Sequence, residues 1–379
     1  MFADEFRVAG DALEYLRMAR NLVLGHGFTR CSGDPFFPTA QRPPVYPYFL
    51  ASLEFFGFDG PLWGGFFNVF FDLGSMFFLK KLGMKLGLQS ARVLPWVVAL
   101  FPPIIFLGLY PLAENLSLFL FLVGAVWFFE RAFVLAGLVF GLLALCKSYW
   151  LLFGPVVGIV YFLKKEIGFK QLSKLGFSWL LFPFLWVLRN YFVLGIFTFS
   201  QSAAATLQTY IGLCIRDFDW WNEEKVRTFT SIPELAAMEF NKCQPDSEIL
   251  EAGKKVKLMV SQCVTDDPWG VVQNWWIKEL KGFLDWGRFY IYSPMPQWFL
   301  DFVYFGMIPI WILILYYIFR ERKKPSMAAL RTFWIITFGY LFLVTFPFAV
   351  DSRYFLPFML LSFVLAFEAI FAQASSNRN

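Results

Sequence analysis

Ionisable residues at the ends of apolar segments are the side chains best placed to do chemistry in this sequence. Glu114, Lys147, Arg189 and Arg353 stand at or near such ends, and Asp72 stands inside a segment. An ionisable group in lipid is costly unless it faces a cavity or a partner. The first four therefore predict a charged external cavity in which cations bind a phosphate and a carboxylate handles a proton. Ion pairs that only stabilise the helix bundle account for the same residues.

A second source of carboxylates precedes the first long apolar segment. Asp11 followed by Glu14 is a capping-box pattern, which predicts an amphipathic surface helix that begins at Asp11. In one interpretation Asp11 only accepts hydrogen bonds from the first turn. In the other it is a base held at an apolar boundary, a role for which Asp4 and Glu5 compete. The expected apolar stripe of this helix is Leu13, Leu16, Ala19, Leu22 and Val23.

Histidine and cysteine usage disfavours several kinds of site. His26 is the one histidine, so a Ser-His-Asp triad and a multi-histidine metal site are strongly disfavoured. The five cysteines contain no CxxC pair, which disfavours structural zinc. The four that fall in segments expected outside the cytoplasm could form disulfides in any of three pairings; they are Cys31, Cys214, Cys243 and Cys263.

The elements that must position these residues are membrane helices. Of the 379 residues, 58% are hydrophobic and only 16% are charged, and runs of about 20 apolar residues match the thickness of a bilayer. The net charge of +5 is too small to favour nucleic acid. We predict an all-α polytopic membrane protein with nine spans, at residues 61–79, 92–110, 111–129, 132–146, 149–163, 175–195, 298–319, 331–350 and 354–371.

Basic loops set the orientation of these spans. Lysine and arginine collect around residues 80–92, at 131, at 164–174 and at 320–331, which predicts that these loops are cytoplasmic. Four regions result: a first external loop at 1–42, an N-terminal membrane bundle at 43–195, an external helical loop at 196–297, and C-terminal membrane helices at 298–379. An external start also leads us to expect a tenth apolar helix upstream of Met1.

Other segments predict local structure. Residues 44–58 are too short to span and read as a re-entrant or interfacial element. Ser231 and Asp246 carry helix-start signals in the external loop, and Asp267 before a proline predicts a helix cap rather than a metal ligand. We expect Asp72 to hydrogen-bond a neighbouring helix, and Glu368 to reach water from near the end of its helix.

Five stretches together resemble a known family. They are the segment from Asp11 to Phe28 followed by RPPVYPYFLA at 42–51, ALFPPIIFLGLYPLAENLSLFLFL at 99–122, LAGLVFGLLALCKSYW at 135–150, LRNYFVLGIFTFS at 188–200 and DSRYFLPFMLLSFVLA at 351–366. Their order and spacing resemble the polyprenyl-phosphate-sugar-dependent glycosyltransferases of the GT-C superfamily. Relatives in that superfamily include protein O-mannosyltransferases and the aminoarabinose transferase acting on lipid A. Lys147 stands where the family more often has arginine.

The resemblance implies a fold, a location and a reaction. It implies a GT-C-like bundle in the plasma (inner) membrane that moves a sugar, with inversion, from a polyprenyl-phosphate carrier to a hydroxyl of a protein, lipid or glycan in the cell envelope. Asp11 would be the base, and Arg353, Arg189 and Lys147 would bind the donor phosphate. The substrate cavity would be lined by Glu14, Tyr15, Arg42, Tyr46 and Glu114. Some relatives need a divalent metal, and the residues leave that requirement undecided.

Two other classes of function fit the composition. A transporter or flippase of lipid-linked sugars or other anions explains charges within the membrane. It does not explain a helix-bearing external loop, and no inverted repeat is visible. A structural membrane subunit is the third class. A product assay separates transport, which moves the substrate unchanged, from transfer.

Overall fold

Helices are the regular secondary structure of the described part of the chain. The computed structural model describes residues 11–58, 60–200, 210, 213–214, 243, 245–284, 312, 316, 328–345 and 355–376. Within those ranges the regular structure is α-helix and short 3-10 helix, with no strand. The all-helical class expected from the sequence is therefore confirmed.

Two short helices precede the bundle. Helix α1 is described over Asp11–Val23, where the sequence predicted a helix, and α2 (Val45–Phe55) has 11 residues, too few to cross a bilayer. The predicted apolar stripe of α1 is wrong in part, because Leu13 is exposed while Tyr15 and Met18 are fully buried. The buried face of α1 therefore carries Tyr15 and Glu14, which turns polar groups towards the protein rather than towards the surface.

Five further helices form the central bundle. They are α3 (Pro61–Lys85), α6 (Glu114–Phe129), α7 (Phe133–Cys146), α8 (Phe153–Leu163) and α9 (Phe169–Leu194). Their apolar composition makes packing against neighbours the main source of their stability. A 3-10 turn at Ser148–Trp150 joins α7 to α8. The predicted segments at 61–79, 111–129, 132–146, 149–163 and 175–195 thus correspond to these helices, with shifted ends.

The segment predicted as one span at 92–110 is two helices. After a 3-10 turn at Gln89–Arg92, α4 (Leu94–Ala99) and α5 (Pro102–Gly108) are separated by Leu100 and Phe101. Pro102 and Pro103 lack backbone N–H groups and disfavour a helical residue before them, so a helix ends there and a new one begins. The prediction of a single helix overlooked this break.

Glycines let α7 and α9 approach closely. A Cβ atom on Gly137 would lie 2.4 Å from the Leu175 carbonyl oxygen, and one on Gly141 would lie 2.6 Å from that of Trp179. Small residues four apart permit this contact between helix backbones, as is common in membranes. The later residue of α7 contacts the later residue of α9, so the two helices run in the same direction. Helix α8, which connects them, runs in the opposite direction.

The two ends of the bundle differ in charge. At one end Lys81, near the C-terminus of α3, has its Nζ 3.0 Å from Oε1 of Glu130, which follows α6. At the same end Lys164, just after α8, hydrogen-bonds Thr332 of α12 (Ala328–Thr345) at 2.8 Å. Glu114 and Lys147 lie at the opposite ends of α6 and α7. The basic loops predicted to be cytoplasmic at these positions therefore share one end of the bundle.

The last helix contains a buried carboxylate. Glu368 on α13 (Leu356–Ser376) is 1% exposed and accepts hydrogen bonds from the backbone N–H groups of Gln89 and Ser90 and from the Ser90 hydroxyl. The expectation that Glu368 reaches water was wrong. The position of Glu368 near the helix end suggested contact with water. Its carboxylate instead accepts hydrogen bonds from the first N–H groups of the 3-10 turn, which need an acceptor when buried.

The segment 196–297, predicted to be an external helical loop, is described only in part. Helices α10 (Asp246–Asp266) and α11 (Pro268–Leu284) begin as predicted, and the Asp267 carboxylate accepts a hydrogen bond from the N–H of Gly270, which confirms the cap. Disulfides join Cys31 to Cys243 and Cys214 to Cys263. The signal at Ser231 lies outside the described residues, as does nearly all of the segment 298–319.

Two membrane-length helices occur in the part of the chain that the structure describes. Among the described helices, α3 and α9 are long and apolar enough to cross a membrane by themselves. Five other apolar helices are shorter, at Glu114–Phe129, Phe133–Cys146, Ser148–Leu163, Ala328–Val344 and Leu356–Phe371. A polytopic arrangement stays a prediction.

Candidate functional site

Arg42 joins the two carboxylates of the α1 N-terminus. Its Nη2 donates to Asp11 Oδ1 at 2.7 Å, and its Nε donates to Glu14 Oε2 at 2.5 Å. The other oxygen of Glu14 lies 3.7 Å from Arg30 Nη1. Residues three apart on a helix lie on one face, so Asp11 and Glu14 present both carboxylates to the same guanidinium. Of the two carboxylate side chains, Asp11 is 18% exposed and Glu14 is 8% exposed.

A second ion pair lies beside Tyr15. Lys147 Nζ donates to Glu114 Oε1 at 2.9 Å, and both side chains are buried. The Tyr15 ring has Arg42 5.7 Å and Lys147 5.9 Å from its centroid. Tyr15 thus connects the two ion pairs, because the face of an aromatic ring attracts cations. The cluster brings together four ionised groups predicted for one cavity: Asp11, Arg42, Glu114 and Lys147.

Tyr46 closes the cluster from α2. Its ring is 5.2 Å from that of Tyr15 between centroids, and its hydroxyl lies 3.4 Å from Asn68 Oδ1 on α3. Asn68 in turn donates to the Tyr110 carbonyl oxygen at 2.7 Å. These contacts tie α2 and α3 to the chain just before Glu114, so the cavity residues expected from the sequence share one contact network.

Local helix geometry explains where Glu114 and Lys147 stand. Glu114 is the first residue of α6, and Lys147 directly follows the last residue of α7. A helix N-terminus carries partial positive charge and a C-terminus partial negative charge, so each side chain lies at the helix end that stabilises it. Since α6 and α7 are adjacent and antiparallel, these ends meet and the pair forms.

The cluster alters proton affinities of its members. Burial raises the pKa of Tyr15 to about 12, although the neighbouring Lys147 and Arg42 act in the opposite direction. Burial alone lowers the pKa of Arg42, but Asp11 and Glu14 outweigh it and raise that pKa well above its ordinary value. Burial lowers the pKa of Arg30, opposed by Glu14 and Asp246. Tyr15 and Arg42 therefore both keep their protons throughout the physiological range.

Asp246 anchors the segment that leads into Arg42. Its carboxylate accepts hydrogen bonds from the Thr39 hydroxyl at 3.0 Å, from the Ala40 N–H at 2.9 Å and from the Gln41 side chain at 3.4 Å. The sequence identified Asp246 only as a helix start and missed this role, because its partners lie more than two hundred residues away. The sequence analysis did not identify Arg30 either. Arg30 lies next to Cys31, a cysteine expected to form a disulfide, and that position was the signal in the sequence.

Arg189 lies at the edge of this region. Its Nη1 donates to the Thr39 carbonyl oxygen at 3.0 Å, and its guanidinium lies 4.9 Å from the Trp186 ring and 5.5 Å from the Phe28 ring. Arg189 therefore supports the segment before Arg42 rather than joining the ion pairs. Arg353 falls outside the described residues.

The carboxylate pair is neutralised by protein cations. Across the described ranges, no three or more His, Cys, Asp or Glu side chains are grouped so that they could hold a metal ion. The two carboxylates that do converge, those of Asp11 and Glu14, have the Arg42 guanidinium between them. With that cation in place the pair does not fit a divalent metal, and no chemical step is assigned to one.

Comparison with known proteins adds no family. No protein-family model matches the chain, and no curated protein or solved structure matches it. A function for this chain is therefore inferred from the geometry of the cluster around Tyr15 and from the order of its sequence motifs.

Proposed function

We propose that this protein is an integral membrane glycosyltransferase that moves a sugar, with inversion, from a polyprenyl-phosphate carrier to a hydroxyl acceptor on the extracytoplasmic face. The observation that carries the proposal is the charged cluster around Tyr15. In it the N-terminus of α1 and the ends of α6 and α7 bring Asp11, Arg42, Glu114 and Lys147 together. The order of motifs that resemble the GT-C superfamily supports the same reaction.

Exposed apolar surface supports insertion in a membrane. On α3 the side chains of Phe66, Phe70 and Phe77 are each more than half exposed, and on α9 Phe177 and Phe192 are at least three-quarters exposed. Soluble proteins rarely expose apolar surface of this extent. Both helices are long enough to cross a bilayer. We infer that these faces contact lipid in a polytopic bundle.

The distribution of charge and cysteine supports the orientation. Basic loops collect at the end of the bundle that carries Lys81 and Lys164, as the positive-inside rule expects of the cytoplasmic side. The candidate site lies at the other end, together with the disulfide between Cys31 and Cys243. Disulfides persist in oxidising compartments such as the periplasm or the cell exterior. The site would accordingly face that compartment.

In the proposed reaction Asp11 takes the proton of the acceptor hydroxyl. The acceptor oxygen attacks the anomeric carbon as the bond from that carbon to the carrier phosphate breaks, and the phosphate leaves with the electron pair. Arg42 fixes one oxygen of Asp11. Because Asp11 is more exposed than Glu14, Asp11 is the better candidate for the base. Positive charge near the leaving phosphate stabilises it. Lys147 is a candidate for that charge in the cluster, and Arg189 and Arg353 keep the phosphate role that the resemblance implies.

The test compares wild type with Asp11→Asn. Each protein is reconstituted with a panel of radiolabelled polyprenyl-phosphate sugars and cell-envelope extract, and label in a new product is measured. We expect transfer by wild type and its loss in Asp11→Asn, with donor binding largely retained. Glu251→Gln, which changes an exposed carboxylate on α10, is the control and should transfer normally.

Two results would contradict this assignment. Normal turnover by a folded Asp11→Asn variant would remove Asp11 as the base and point to Asp4 or Glu5. A wild-type protein that transfers nothing, but carries labelled lipid across the bilayer of proteoliposomes, would be a transporter instead.

A further inference from the structure

A groove lies between the beginnings of α7 and α9, at the opposite end of the bundle from Tyr15. It consists of two adjoining cavities of about 420 Å³ and about 760 Å³, which share Val134, Lys170 and Lys174. Helix α7 begins at this groove and ends beside Lys147. Its 14 residues separate the two places by about 20 Å, so the groove is distinct from the candidate site.

The smaller cavity is rimmed by cations. Arg131, Lys170 and Lys174 line it, and all three side chains are exposed. Within the described ranges no carboxylate forms an ion pair with any of them, whereas the nearby Lys81 and Lys164 pair with Glu130 and Glu166. Three cations around one cavity, with no acidic partner in that part of the structure, are complementary to an anion.

Arg131 has an unusual backbone for an arginine. Its φ of 62° lies in the left-handed region, two residues after α6 ends at Phe129. Glycine is the usual residue at such a position because it has no side chain to clash. Lys165, after α8, has a similar φ of 61°. At Arg131 this position lies at the mouth of the smaller cavity.

The larger cavity continues the groove along apolar surface. Beyond Lys170 and Lys174 it is lined by Leu138, Phe177 and Leu181. Phe177 is 78% exposed and Leu181 is 47% exposed, although both are apolar. A ligand that fits both cavities has an anionic head and a long apolar tail. That combination favours a lipid over a small soluble phosphate, which would use only the cationic rim.

We propose that this groove binds an anionic glycerophospholipid of the cytoplasmic leaflet, with its phosphate among Arg131, Lys170 and Lys174 and an acyl chain along Leu138 and Phe177. Basic pockets between membrane helices on the cytoplasmic side bind such headgroups. The inference rests on the membrane insertion and orientation in the proposed function, and it does not depend on glycosyl transfer.

Photo-crosslinking in vesicles tests the proposal. The protein is reconstituted in phosphatidylcholine vesicles that contain phosphatidylglycerol with a diazirine in one acyl chain, and the labelled peptides are mapped by mass spectrometry. A phosphatidylcholine analogue with the same diazirine reports lipid contact that ignores headgroup charge. We expect phosphatidylglycerol to label 133–146 and 169–181 in preference to the neutral analogue.

The variants separate a specific site from general attraction. Lys170→Gln with Lys174→Gln should lower labelling by phosphatidylglycerol by about thirtyfold, because each of the two basic side chains near an anionic surface contributes about 1 kcal/mol, and by at least about fivefold if only one of them contacts the phosphate. Lys80→Gln with Lys85→Gln removes equal charge from exposed positions on α3 and should change labelling less than about twofold. Lys170→Arg with Lys174→Arg should restore it.

Three results would overturn the proposal in distinguishable ways. Equal labelling by the two lipids would leave only general lipid contact at this groove. Loss of labelling on addition of glycerol phosphate at the lipid concentration would show that the phosphate alone is bound. Extraction of the protein from its membrane by alkaline carbonate would refute the membrane insertion itself, and with it the proposed function.

Discussion

The buried pair of Glu114 and Lys147 should stabilise the bundle strongly only while both partners are present. Their charged atoms are 2.9 Å apart and the side chains are 2% and 7% exposed. At an effective dielectric constant of about 20, Coulomb's law gives an attraction of about 6 kcal/mol, most of which offsets the cost of removing two charges from water. Removing one partner leaves the other charge buried, so Glu114→Gln or Lys147→Met alone should lower the free energy of unfolding by about 3 to 5 kcal/mol.

A double-mutant cycle measures this dependence. The four proteins are unfolded by SDS in mixed micelles and followed by far-UV circular dichroism. The double variant should lose less than the sum of the single variants, with a coupling free energy of about 1 to 3 kcal/mol. The pair of Lys164 and Glu166, each 43% exposed, is the control and should show coupling below about 1 kcal/mol. Single losses below about 1 kcal/mol at Glu114 and Lys147, or equal coupling in both cycles, would refute the reasoning.

Three further predictions concern packing, a buried carboxylate and pH. Gly137→Ala should lower the free energy of unfolding by about 1 to 3 kcal/mol, because its Cβ would lie 2.0 Å from a side-chain oxygen and 2.4 Å from a carbonyl oxygen of α9. The control is Gly176→Ala, whose Cβ would have nothing within 4 Å. This variant should not be destabilised in the same SDS assay. Glu368→Gln should lower the free energy of unfolding by about 1.5 to 3 kcal/mol. Glu130→Gln, which removes one partner of a partly exposed ion pair, should lower it by less than about 1 kcal/mol. Equal losses of stability in the two variants would contradict the capping role of Glu368. Because the folded pKa of Tyr15 is raised from 10.0 to about 12, its contribution to stability is fully present below pH 10 and is lost as pH rises through 12, by about 2 to 3 kcal/mol. Tyr15→Phe should weaken this loss in unfolding measured across that pH range, and an unchanged pH profile would count against the assignment.

Local signals in the sequence located the starts of two helices correctly. Asp246 and Pro268 each begin a helix. These positions depend on backbone groups within a few residues, which a local pattern can report. The same patterns led to a shared charged region, because helices that alternate in direction return to the same end of a bundle.

Partners distant along the chain could not be predicted in this way. Which carboxylate meets which cation depends on packing, so Arg42 was expected to line a cavity but not to bind both Asp11 and Glu14. Likewise, the burial of Glu368 depends on a turn near residue 90. Apolar residues were also ambiguous, because a membrane helix can turn them to lipid rather than inwards, and Leu13 on α1 is exposed.

The residues that anchor the segment before Arg42 lie far along the chain, so this segment can reach its final structure only after they have been synthesised. Thr39 and Ala40 bond Asp246, and Cys31 is joined to Cys243, which lies 212 residues later in the chain. At roughly 5 to 20 residues per second, a ribosome needs about 10 to 40 s to add that length. Helices α3 to α9 are complete during this interval, while the loop carrying Thr39 still lacks its partners. A nascent chain therefore holds the central helices α3 to α9 before it holds a finished site.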